Sequence, residues 1–292
     1  MKKILIYLAI GILSGITNSC SEDKLDPSIF DHAERERTEF DKWILENYVD
    51  EYNIDFKYLL DDVETNMSYN LIPADIDKAK DLAKIIVYLW LESYNEYFDP
   101  TGNDKHFMRE YAPKVIQLVG SAAINASSNT EVLGTAEGGI KIVLYKVNSI
   151  DPANVDMLND YYFGTMHHEF AHILHQKEEI PIEFNNITPS GYSSTGWQNR
   201  TDQQAWSMGF VTPYASKEPH EDFVEIIANY LVKSDEHWQN MMEQAGESGA
   251  GKMQQKFDMV EEWLLSTWEI DIHELRNIIS RRAANIESIL NE

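Results

Sequence analysis

Phe163-Gly164-Thr165-Met166-His167-His168-Glu169-Phe170-Ala171-His172-Ile173-Leu174-His175 threads histidines and a glutamate through an otherwise apolar run. Phe163, Met166, Phe170, Ala171, Ile173 and Leu174 fall at the spacing of a helix buried in a core. Residues four apart on a helix share a face, so His168 and His172 can present two imidazoles to one point, and Glu169 reaches the same neighbourhood. A buried helix gives up the hydration of such groups only where they have partners. The spacing therefore predicts an ion held by His168 and His172, with Glu169 beside a water on that ion. His167 lies roughly 100° round the helix and is expected to point away, while His175 is expected as a hydrogen-bonded histidine at the core or rim.

This is the arrangement of the zincins. A catalytic zinc usually takes three protein ligands and a water, so a third ligand has to come from elsewhere. In the metzincin pattern it would stand six residues after His172, beyond a turn glycine; those positions hold Glu178 and His175, which disfavours that class. A stronger source is the run His220-Glu221-Asp222-Phe223-Val224-Glu225-Ile226-Ile227-Ala228, a second apolar helix on which Glu221 and Glu225 share a face. Glu221 and Glu225 are the leading candidates, with Asp222, His220 and Glu178 as the others. His220, next to Glu221, is expected to be exposed.

From His168 to Ala228 the sequence resembles the catalytic domain of anthrax-toxin lethal factor, and over its whole length it resembles the substrate-import-associated zinc metallohydrolase lipoproteins of gut-type Gram-negative bacteria. Both follow the histidine motif with a glutamate in a run like Glu221-Asp222-Phe223-Val224-Glu225, the gluzincin solution. The resemblance implies Zn²⁺ on His168, His172 and Glu221, with Glu225 steadying a ligand histidine. In lethal factor a tyrosine seven residues before the ligand glutamate faces the metal, and Tyr214 stands at that place.

The ends of the chain set its expected location. Lys2 and Lys3 followed by the apolar run Ile4 to Ile16 read as a secretion signal over residues 1–19, too short to span a bilayer. Cys20, the sole cysteine, follows Ser19 and precedes Ser21-Glu22-Asp23-Lys24, which resembles a bacterial lipoprotein signal with Cys20 as the lipidated first residue. A lipidated Cys20 leaves no thiol for a disulfide or a metal, so ligands must be His, Asp or Glu. Residues 20–37, polar and containing Pro27, read as a flexible tether, and residues 38–292 as one catalytic domain. The acidic residues after Cys20 resemble an export signal to the outer face of the outer membrane. The formal charge of -25 repels phosphate backbones, so no nucleic-acid partner is expected.

Phe40, Trp43, Ile44, Tyr48 and Val49 predict a first helix, and Asp75 to Tyr97 a second. Val115 to Val119 and Ile140 to Val147 predict strands separated by a turn region at Gly134 to Gly139. The later strand is a candidate edge for pairing with an extended peptide, with an interior position as the alternative. The tail from about Lys252 is expected to be helical, with Phe257, Val260, Trp263 and Leu264 on one stripe. The fold expected is α+β and zincin-like: a small sheet, an active-site helix, and further helices from both ends.

The function expected is hydrolysis of peptide or protein amide bonds by a water on zinc, with Glu169 as base and Tyr214 as a donor to the oxyanion. The other class is a non-catalytic accessory of an outer-membrane nutrient-uptake complex with a vestigial metal site, and the retained Glu169 argues against it. A purely structural zinc would need a fourth protein ligand.

Overall fold

The computed structural model describes residues 36–60, 68–101, 103–125, 130–132, 134–137 and 140–290. The expected signal peptide, Cys20 and nearly all of the expected tether lie outside them, and the larger of two compact units runs over Glu39–Glu292. Its first helix, α1, comprises Glu39–Ile44 and a π-helical turn, Leu45–Asp50, and buries Phe40, Ile44 and Tyr48. A short strand, β1 (Asp55–Lys57), follows. Helix α2 runs through Ile76–Ile86, a π turn at Val87–Leu91, and Glu92–Phe98. Asp75 starts it by accepting hydrogen bonds from the amides of Asp77 and Lys78, as an N-cap does. Its apolar side, including Leu82, Ile86 and Trp90, is fully buried.

After α3 (His106–Tyr111) come β2 (Val115–Leu118), the hairpin β3 (Ala123–Asn125) and β4 (Thr130–Val132), then β5 (Gly134–Glu137) and β6 (Lys141–Leu144). The main sheet has four strands in the order β1-β2-β6-β5. Pairing is parallel from β1 to β2 and from β2 to β6, and antiparallel between β6 and β5. The candidate edge strand is therefore interior. Ile142, Val143 and Leu144 are all buried because the strand is covered on both faces, and an unbroken apolar run is the mark of such a strand. The expected turn region at Gly134 to Gly139 instead supplies β5, which ends the sheet with the register Gly134↔Leu144 to Glu137↔Lys141. Ile142 and Leu144 join the main core, whereas Val143 packs with Val119, Ala123 and Tyr145 in a smaller one.

The sheet leads into α4, which is built from Val155–Leu158, a π turn at Asn159–Phe163, and Gly164–His175. A polar connection and α5 (Asp202–Met208), opened by a capping box at Thr201, precede α6 (Pro219–Val232). The tail is helical, as expected, but divided: α7 (Asp235–Gln244), α8 (Gly246–Trp268), α9 (Ile272–Ala283) and α10 (Glu287–Leu290). Phe257, Val260, Trp263 and Leu264 are all buried along α8. That helix ends at Glu269 in a left-handed conformation, and Asp271 caps α9 by accepting from the amides of His273 and Glu274. Among the described residues no helix is long and apolar enough to cross a membrane.

One ionic contact fixes α6 against α8. Lys256 on α8 and Asp222 on α6 are fully buried with Nζ and Oδ2 2.6 Å apart. Tyr192 donates to the same carboxylate oxygen at 2.8 Å, and Lys256 also donates to the carbonyl of Gly209. The ammonium lies 3.9 Å from the centroid of the Phe210 ring, a cation–π contact. Burial pushes Asp222 up and Lys256 down, against ionisation, so each charge depends on its partner. Lys256→Met should therefore lower stability in urea unfolding by about 3–5 kcal/mol by stranding the Asp222 charge, and the double variant Asp222→Leu/Lys256→Met should recover most of that loss.

Candidate metal centre

Helices α4 and α6 run antiparallel, and their facing sides build the site. His168 and His172, one turn apart on α4, meet Glu221, which sits in the first turn of α6. His168 Nε2 lies 3.1 Å from His172 Nε2 and 3.1 Å from Glu221 Oε2, and the third side of this triangle is 3.2 Å. Ligands bonded at about 2.0–2.1 Å in a tetrahedral site stand about 3.3 Å apart, so the three atoms fit around one zinc-sized ion. They form a group able to hold a metal, and two imidazoles with a carboxylate is a donor set of catalytic zinc.

Each imidazole has its other nitrogen engaged. His168 Nδ1–H donates to Glu225 Oε1 at 2.7 Å, which leaves Nε2 to face the centre. Glu225 is one turn after Glu221, and its second oxygen accepts from the hydroxyl of Thr212. His172 Nδ1 lies 2.8 Å from His175 Nε2. Burial and the neighbouring rings of His172 and His220 hold His175 down at about 4, so at neutral pH it is uncharged and can accept that proton. His175 is stacked on the exposed ring of His220 with centroids 4.8 Å apart.

Glu221 divides its oxygens. Oε2 faces the two imidazoles, while Oε1 accepts from Tyr214 at 2.9 Å and from Lys217 Nζ at 2.6 Å. Burial works against its charge, but the hydrogen bonds from His168, His172 and Lys217 outweigh it and hold the carboxyl far below the usual range. The start of α6 adds a favourable helix dipole. For His168, burial disfavours charge, yet Glu221 and Glu225 overcome it and raise the imidazole to about 10. The surroundings thus draw positive charge to this point, which a divalent cation supplies. Burial raises Glu169, also on α4, above an ordinary carboxylate. Burial and then Glu221 push Tyr214 up to about 12, which keeps its O–H intact.

His168, Glu169, Tyr214 and Glu225 line one end of a cavity of about 330 Å³. His167 points away, as expected from its angle, and lies buried with Nδ1 3.0 Å from the Tyr94 hydroxyl. His220 is exposed. Of the alternative third ligands, Asp222 is turned to Lys256 and Glu225 to His168. Thr212 and Lys217 were not singled out by sequence reasoning. Lys217 stands four before Glu221, but it precedes α6, so helical spacing gives no reason to pair them. Thr212 carries no motif of its own.

Residues 33–273 match a family described as "Putative zinc-binding metallo-peptidase". A crystal structure from Bacteroides caccae ATCC 43185, described in the same words, is 45% identical, with a TM-score of 0.76 over 89% of this chain and 97% of that one. No curated protein matches. The mostly helical α+β architecture with its small sheet is the expected zincin-like metallopeptidase fold. The chain belongs to this family of zinc-binding metallo-peptidases.

Proposed function

We propose that the chain is a zinc-dependent peptidase in which His168 Nε2, His172 Nε2 and Glu221 Oε2 are the ligands. The observation that carries this reading is the convergence of those atoms, with His168 and His172 each held from behind. Zinc, when bound, supplies Lewis acidity for the scissile carbonyl and brings the pKa of water near neutrality. Glu169 takes a proton from the attacking water and passes it to the leaving amine, a task that suits a half-buried carboxylate raised above the usual range. Tyr214, protonated at neutral pH, turns its O–H from Glu221 Oε1, which Lys217 still holds, to the carbonyl oxygen as negative charge develops there. Strand β5, at the edge of the sheet, is the place for an extended peptide to pair.

The resemblance to lipidated metallohydrolases supports a location as well. Cys20 carries the lipid, the tether of about fifteen residues reaches about 20 Å as a flexible coil, and the active site faces the medium beyond the outer membrane. A nutrient-uptake complex of that membrane is the partner this location favours.

Purified soluble protein should bind about one zinc per chain, and His172→Ala and Glu221→Ala should each release it at chelator concentrations that the wild type withstands, read by metal analysis. Normal zinc affinity in Glu221→Ala with loss in Glu225→Ala would move the third ligand to Glu225. Glu169→Gln should keep zinc and fold while turnover of a peptide library falls by at least about 10². Tyr214→Phe should cost about 10 to 10³ in turnover, because a single oxyanion donor is lost. Equal turnover in the wild type and Glu169→Gln would eliminate the mechanism. Shaving intact cells with protease should remove the wild-type chain, and Cys20→Ser should leave the membrane fraction. Protection until lysis would put the chain on an inner leaflet.

A further inference from the structure

The cavity at the metal centre extends away from it between α4 and α6. Its near end is His168, Glu169 and Glu225; its far end is Asn159, Asp160, Asn229 and Lys233. On α4 the far end lies eight residues before His168, and on α6 eight residues after Glu225, a run of about 12 Å along each helix at 1.5 Å per residue. Gly164 lines the passage between the two ends without a side chain, and a Cβ there would stand 3.1 Å from the carbonyl oxygen of Asn159 and 4.0 Å from Val232 Cγ2 across the gap. The trench is therefore long and narrow, and it begins where a scissile bond would sit.

The donors at its far end are partly committed. Asn159 Nδ2 donates to the carbonyl of Val232 at 2.9 Å, and Asn229 Nδ2 to the carbonyl of Glu225 at 2.9 Å. Asn229 Nδ2 also lies 3.4 Å from Glu225 Oε2, so both of its N–H groups are engaged, while Asn159 keeps one N–H; each amide keeps an oxygen able to accept. Lys233 Nζ donates to Asp160 Oδ1 at 2.6 Å, which leaves the other carboxylate oxygen available. This pair is partly exposed, with side-chain accessibilities of 30% and 53%, so solvent screening keeps it weak and an incoming cation can compete for Asp160. Lys233 is the one lysine or arginine among the lining residues, and it is already paired with Asp160, the one carboxylate at this end.

We propose that this trench is a side-chain subsite selective for a basic residue of the substrate, with a lysine ammonium or arginine guanidinium reaching Asp160 and the amide oxygens of Asn159 and Asn229. The assignment rests on the peptidase reading above, because the substrate backbone has to lie at His168 and Glu169 for its side chain to enter. An acidic side chain would meet the like charge of Asp160, with Lys233, already paired, and one N–H of Asn159 in its favour. An aliphatic one would strip water from four polar groups without replacing their hydrogen bonds. Length also matters: the far end is two helical turns from the chemistry, so short side chains do not reach it.

The test is calorimetric binding of blocked hexapeptides, alanine except for one central Lys, Arg, Leu or Glu, to zinc-loaded Glu169→Gln protein in 0.15 M salt. Lys and Arg peptides should bind at least about 10-fold tighter than the Glu and Leu peptides. Adding Asp160→Asn should erase most of that preference, whereas adding Lys233→Met, which frees Asp160, should enlarge it. Glu247→Gln, an exposed carboxylate change on α8, should alter neither and so controls for the net negative charge. Equal binding of the Leu or Glu peptide, no response to Asp160→Asn, or no peptide binding at all would overturn the subsite. Wild-type turnover keeps the two readings apart: selective binding without cleavage would sink the peptidase and spare the subsite, and cleavage indifferent to the basic residue would do the reverse.

Discussion

The hydrogen bond from His168 Nδ1 to Glu225 Oε1, at 2.7 Å, is the contact on which the site depends. It joins α4 to α6 at the level where their antiparallel faces meet, and it turns the other ring nitrogen, Nε2, toward the centre. Because Glu221 lies one turn before Glu225, the same bond places Oε2 of Glu221 between the two imidazoles. His168 is buried and Glu225 largely so, so each charge or dipole left unmatched would be costly, and the helices are held in one register. Thr212 closes the arrangement by donating to the far oxygen of Glu225 while its own oxygen accepts from the amide of Ala215. The segment carrying Tyr214 is thereby tied to the same carboxylate that orients His168.

Behind this contact stands a second tier. Asp222, adjacent to Glu221, is turned away from the metal centre and into the core, where Lys256 and Tyr192 hold it. Successive residues of a helix face different ways, so α6 can spend Glu221 on the site and Asp222 on its attachment to α8. The buried pair contributes placement more than net stability, since removing both charges from a well-packed interior is often tolerated. Lys217 and Tyr214 complete the first tier by occupying Oε1 of Glu221, which aims the other oxygen at the centre.

The parts of this design that follow helical spacing were legible in the sequence. His168, Glu169 and His172 come from a four-residue period on an apolar helix, and Glu221 and Glu225 from the same period on another. The choice of Glu221 over Glu225, and the place of Tyr214, came from resemblance to known families, because two carboxylates on one face are equivalent to a spacing argument. The partners of His172, Glu221 and Glu225 were not legible. His175 is three residues from His172, yet its engagement depends on a rotamer and a tautomer; Thr212 and Lys217 reach their partners through the path of a connection whose shape is tertiary. Strand β5 was read as a turn because Gly134, Gly138 and Gly139 bracket only a few residues, and a strand that short is specified by the neighbour it pairs with. The division of the tail between α8 and α9 was hidden for a related reason. Glu269 is not a residue whose type announces a left-handed conformation, and the break is made by the Asp271 cap that follows.

The antiparallel pairing of α4 and α6 also sets the candidate metal group apart from the proposed subsite. Moving along both helices from His172 and Glu221 to His168 and Glu225, and on to Asp160 and Lys233, the partners keep facing one another, with the candidate metal group at one end and a weak ion pair at the other. The end with the candidate metal group is largely buried and densely hydrogen-bonded, and a substitution there is felt by several partners at once. The far end is partly exposed, with Asp160 and Lys233 holding mainly each other. Changes of side chain there can alter what the groove accepts at little cost to the ligand geometry, because the His168–Glu225 bond, two turns away, fixes the helices independently of them.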